Sequence, residues 1–143
     1  MKSIPFRIFK IENDPIELHA DLVNHDLKDV EFGFQVSFNG DIDARIIGCR
    51  TNYLFRQKET IISSLTVYCY FMIDPAFVES GLKNNVLIFP KEFLRYIATI
   101  SVGTARGIQH AKTQGTILNS LVIPPVNLME IDIKDFRLKV VEK

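Results

Sequence analysis

The chain has 143 residues, enough for one domain that buries most of its unfolded surface. Lys+Arg and Asp+Glu number 17 each, so net charge gives no electrostatic case for nucleic acid, which needs clustered excess cations. At 47% apolar the chain is not disordered as a whole, and zero net charge offers little protection against self-association.

Eleven Phe and no Trp make a lopsided aromatic set of large rings without polar handles. The N-terminal MKSIPFRIFKIEND has charges throughout and no apolar run of signal-peptide length, and nothing approaches the ~20 apolar residues of a membrane helix. A cytoplasmic location is the expectation. Cys49 and Cys69, the two cysteines, fall in separate strand candidates and read as buried free thiols.

In chain order, Ile4 to Ile11 reads as a strand, with Asn13-Asp14-Pro15 as a kink beyond which Ile16 and Leu18 extend it. His19 to Asp29 is a polar crossing loop. Val30, Phe32, Phe34, Val36 and Phe38 then alternate with Glu31, Gly33, Gln35 and Ser37, the signature of a half-buried antiparallel strand. Asn39-Gly40-Asp41 reads as its hairpin turn, Ile42 to Phe55 as its partner with a bulge at Gly48, and Arg56 to Glu59 as a charged turn. Thr60 to Ile73 is a further strand. Asp74 to Asn85 is a connection with a helical turn around Ala76 to Ser80.

Pro90 suits the first turn of a helix. Phe89, Phe93, Ile97 and Ile100 follow at helical spacing, predicting one long helix over about 90–111. Gly103 and Gly107 inside it point to a bend or to a close neighbour through Ala98, Ser101, Val102 and Ala105, which are taken as an oligomer interface. Arg95, Arg106, His110 and Lys112 form a partly basic, solvated face. Ile117 to Ile123 is packed. Asn127 either caps a short helix or precedes a strand, and the pattern leaves both open. The expected fold is α+β: a four-stranded antiparallel sheet with the long helix on one side and a short C-terminal element, residues 1–143 forming a single domain.

Chemistry is sparse. His19, His25 and His110 are scattered and neither Cys has a partner at ligand spacing, so no metal site or cofactor is expected. Asp41 and Asp43 beside a turn, and Glu130, Asp132 and Asp135 near the C-terminus, read as turn and surface acids. Gly103, Gly107 and Gly115 match no phosphate loop. The expectation is a protein that is not an enzyme and whose distinctive feature is apolar display.

The Phe89-Pro90 pair opening the long helix, Pro125-Val126-Asn127 beyond it, the FRIFKI opening and the alternating VEFGF strand resemble the SecB-like export chaperone family. The resemblance covers nearly the whole chain in order. It implies a homotetramer built as a dimer of dimers, acting as an ATP-independent holdase that binds unfolded or precursor polypeptides in apolar grooves, with protein export as one setting. The client-binding residues it carries over are Val30, Phe32 and Phe34, then Leu87 and Phe89, and Ile117, Leu118 and Leu121. The family's acidic pair that docks SecA falls at Pro15 and His19, so the resemblance does not extend to SecA docking. The alternative is an interaction factor, antitoxin-directed or an assembly chaperone, dedicated to one partner.

Overall fold

The computed structural model describes residues 4–23 and 26–140; His25, one of the three scattered histidines, lies outside them. Period-two alternation and β-branched or aromatic content set the strands: β1 (Phe6–Asn13), β2 (Glu17–Leu18), β3 (Val30–Asp41), β4 (Ile46–Gln57) and β5 (Thr60–Ile73). The sheet order is β1-β5-β4-β3, every pairing antiparallel, and β2 pairs β5 beyond the Asp14-Pro15 kink. The expected four strands are therefore the sheet's main path, with one short addition.

The β3–β4 reversal lies four residues later than the Asn-Gly signal predicts. Asn39, Gly40 and Asp41 are paired with Gly48, Ile47 and Ile46, and Ile42 to Arg45 make the turn, with Arg45 at φ 57°. Gly40 serves packing instead: a Cβ there would stand 2.8 Å from Leu138 Cδ2. Gly48 is not a bulge either. It lets Asn39 and Tyr70 close over the backbone, where a Cβ would collide with the Asn39 amide. The register shifts fall between Ile8 and Lys10 and between Phe55 and Arg56. Lys58, at φ 52°, and Glu59 close the β4–β5 hairpin.

A short helix α1 (Pro75–Gly81) leads to β6 (Val86–Phe89), then to α2 (Lys91–Lys112), and β6 pairs antiparallel with a C-terminal strand β7 (Phe136–Lys139). Pro90 is extended at ψ 151° and precedes α2 as its N-cap. The Lys91 N–H, freed at the helix start, donates to Asp135 Oδ1 at 2.8 Å. α2 lies across β4 and β5 on one face of the sheet. Phe93, Leu94 and Ile97 fill the core there.

Ala98, Ser101, Val102 and Ala105 are buried within this one chain, at 0–5% exposure. Their small size lets α2 settle closely onto its own sheet, so they have no surface left for a neighbouring subunit. Gly103 and Gly107 sit on the opposite side of the helix, exposed, and a Cβ at either position would meet nothing within 4 Å. Residues 114–135 contain one 3-10 turn, Ile117–Ser120, and otherwise form an irregular strap that returns along α2 to β7.

Candidate functional site

β3 divides by parity. Val30, Phe32, Phe34, Val36 and Phe38 are half-buried, and the residues between them are exposed. The even set stands opposite Gln57, Phe55, Tyr53, Thr51 and Cys49 of β4, on the face that α2 covers. Since α2 rests on β4 and β5, the β3 margin of that face lies beyond it. Phe32 packs on Phe55 with ring centroids 5.2 Å apart, and Phe34 on Tyr53 at 5.4 Å. The two β3 rings are thus flanked on the β4 side by buried rings and remain only half-buried themselves.

The strap forms the other wall. It anchors Ile123, Leu128 and Ile133 in the core. Arg106 Nε donates to the Ile123 carbonyl at 2.7 Å, its Nη2 to the Pro124 carbonyl at 3.1 Å, and Arg95 Nε to the Leu128 carbonyl at 3.2 Å. These two arginines do not belong to a solvated basic face: three helical turns apart, they clamp the strap. Between Phe34, Val36 and Phe38 and the strap residues Ile131 and Ile133 runs a groove of about 450 Å³, with Gln35, Ser37, Arg50, Asp132 and Lys134 also lining it. Val36 and Phe38, the strap isoleucines and the two clamps are members that sequence reasoning did not assign. The alternation that marks Phe32 and Phe34 continues to Phe38, whereas nothing local connects Ile131 to β3.

The other carried-over residues separate. Leu87 and Phe89 are buried at 1% exposure, Phe89 stacking on Phe93 at 5.7 Å and meeting Phe77 at a tilt, also at 5.7 Å. Leu118 is fully buried. All three serve the core, because β6 is roofed by α1 and α2 and the 3-10 turn tucks Leu118 inward. Ile117 is 46% exposed and Leu121 half-buried. Neither lines the β3 groove.

Polar groups beneath α2 are the second peculiarity. Cys49 and Cys69 are directly opposed across β4 and β5, both buried and both free thiols. Burial pushes the Cys49 thiol up to about 12 and raises Cys69 as well; Ser101, beside both, pulls the other way. Burial likewise raises the Tyr53 phenol. Such thiols stay protonated and are poor nucleophiles. Gln109 Nε2 donates to Ser63 Oγ at 3.2 Å, Gln109 Oε1 finds no partner among the described residues, and the Thr51 hydroxyl lies beside the Tyr53 phenol.

Among the described residues no group of three His, Cys, Asp or Glu side chains is placed to hold a metal ion. Asp41 Oδ1 accepts from the Ala44 N–H at 3.3 Å, and Asp135 caps α2, so both have structural work. No helix among the described residues is long and apolar enough to cross a membrane.

Fold and site together define an α+β protein with an aromatic sheet margin left open beside an irregular strap. No protein-family model and no curated protein matches the chain. Among solved structures it is similar to a SecB-like chaperone of Mycobacterium tuberculosis, solved in complex with a ChAD peptide from the HigA1 antitoxin. The two share 12% sequence identity and a TM-score of 0.47, over 87% of this chain and 90% of that one.

Proposed function

We propose that the chain is a holdase-type chaperone that binds non-native polypeptide, without ATP or enzymatic chemistry, against the β3 margin. The observation that carries this reading is the row from Val30 to Phe38: five apolar residues, three of them Phe, half-buried along a sheet edge beside a groove of mixed polar and apolar lining. Apolar surface of this kind binds by area, at about 25 cal/mol per Å² before association costs, and so accepts many sequences. Protein export in the cytoplasm is one setting for such a protein.

The SecB-like motifs add a homotetramer to the proposal. Ala98, Ser101, Val102 and Ala105 cannot supply its interface. The exposed Tyr96 of α2 and the exposed Ile8 and Ile11 of β1 offer a more suitable surface, with Phe6 and Tyr96 in ring contact at 5.8 Å.

The test pairs light scattering with an aggregation assay on a chemically denatured model protein. The expected result is a tetramer that suppresses aggregation near stoichiometric ratios and loses this on Phe32→Ser with Phe34→Ser. A monomer that leaves aggregation unchanged sinks the reading. Capture of one folded protein, with no affinity for unfolded chains, assigns the face to a dedicated partner instead.

A further inference from the structure

The backbone of β3 carries information that its side chains do not. In an antiparallel sheet the N–H and C=O of one residue point to the same side, and the side alternates along the strand. The Ile73 N–H donates to the Arg45 carbonyl at 2.7 Å, so at the start of β4 Arg45 faces β5 and Ile46 faces β3. The Asp14 N–H donates to the Thr66 carbonyl at 3.1 Å, which turns the even residues of β5 toward the β1 side and the odd ones toward β4, in agreement. The even residues of β4 therefore bond β3. Their register partners are Glu31, Gly33, Gln35, Ser37, Asn39 and Asp41, in a ladder without a shift from Val30 to Asp41.

It follows that Val30, Phe32, Phe34, Val36 and Phe38 point their N–H and C=O groups outward, along the free edge of the sheet. Among the described residues no loop or strap backbone group bonds to them. The residues that display apolar side chains are thus the ones that display unpaired backbone, over about 27 Å at ~3.4 Å per residue. Sheet edges are commonly blunted by Pro, Lys or a bulge. The stretch VEFGFQVSF contains neither residue, and its ladder has no bulge.

We infer that the occupant of this edge is an extended apolar segment of a non-native polypeptide, added to β3 as a further strand. The inference rests on the polypeptide-binding reading above and specifies its mode. Hydrogen-bond complementarity favours an extended backbone with free donors and acceptors. The groove of about 450 Å³ beside Phe34 to Phe38 admits a few residues of single chain, whereas the β3 of a second folded copy would bring its own strap into the same space. Backbone pairing gives affinity without reading sequence, and the Phe face selects apolar side chains at every second position.

The test uses the full chain and a ten-residue peptide of alternating valine and threonine flanked by lysines. Residue-resolved amide hydrogen exchange should show Glu31, Gly33, Gln35 and Ser37 protected throughout. Phe32, Phe34 and Val36 should exchange freely until peptide is added and then slow at least tenfold. Val36→Pro keeps an apolar side chain but removes an outward N–H that β4 does not use, so the fold tolerates it; it should weaken peptide binding at least tenfold. Val36→Ala, which keeps the N–H, should stay within about threefold. If the peptide binds with even-residue exchange unchanged and Val36→Pro binds like the parent, strand addition is overturned while binding to the apolar β3 face stands. Failure of the parent to bind any peptide removes both. Protection that grows with protein concentration alone gives the edge to a second copy and overturns the inference.

Discussion

Arg106 grips Ile123 from the far side of α2: its Nε meets the Ile123 carbonyl at 2.7 Å while Nη2 takes the next carbonyl, Pro124, at 3.1 Å. The contact pins the strap where it leaves the 3-10 turn and turns Ile123 into the core. A charged donor on a part-buried carbonyl contributes about 1.5–3 kcal/mol. Arg106→Ala should lower unfolding stability by roughly that amount in a urea titration. Arg106→Lys should not restore it, since an ammonium cannot address two successive carbonyls with the planar fork of a guanidinium. Stability within a few tenths of a kcal/mol of the parent would show that the strap is held by its apolar anchors alone.

The β3 rings predict a separation of function from stability. Phe34→Ala removes a half-buried ring and should cost less than the ~3–5 kcal/mol typical of a fully buried Phe. Its effect on binding of unfolded protein should be at least tenfold. Leu94→Ala, a fully buried change under α2, should reverse the ranking, with a loss of ~2–5 kcal/mol. Parallel urea titrations and binding isotherms on the two variants check this.

The two sides of α2 should respond oppositely to added carbon. Ala98 is completely buried, so Ala98→Leu overfills the helix–sheet contact at about 1–3 kcal/mol. Gly103 faces open space, so Gly103→Ala should stabilise by up to about 1 kcal/mol through helix propensity. Thermal melts decide it. Should Gly103→Ala instead break the oligomer by light scattering, another chain must approach the helix there.

Alkaline stability follows from Cys49. Its thiol is raised in the folded chain from 9.0 to about 12, so the folded form holds its proton where the unfolded form releases it. The stabilisation is complete below pH 9 and is lost as pH rises from 9 toward 12. Within that window the contribution declines by at most about 1.4 kcal/mol per pH unit. Cys49→Ala should flatten the alkaline limb of a stability–pH profile and leave the neutral region's slope unchanged. The parent's thiols should also resist iodoacetamide at pH 8 until the chain is unfolded.

Legibility tracked how local each cause was. Val30 to Phe38 announces its strand because side-chain direction alternates with every residue, and the structure keeps that face. The span of α2 was likewise readable, from the spacing of Phe93, Ile97 and Ile100 to within one residue at each end. The hairpin turn lies beyond its signal because Asn39-Gly40 carries a strong turn preference that Leu138, almost a hundred residues later, overrides by packing where a Cβ would be.

The sequence by itself determined the α+β class, the order of the sheet-forming segments and the apolar face of β3, since each depends on periodicities that a short window contains. Tertiary structure alone decided which apolar residues remain available. Leu87, Phe89 and Leu118 are as apolar as Phe32 and Phe34, yet α1, α2 and the 3-10 turn bury them. Ala98 and Ala105 look suited to a neighbouring helix, and the chain's own sheet occupies that place. Burial depends on what crosses overhead, and beside β3 the wall is a strap held by Arg95 and Arg106, whose contacts no local pattern encodes.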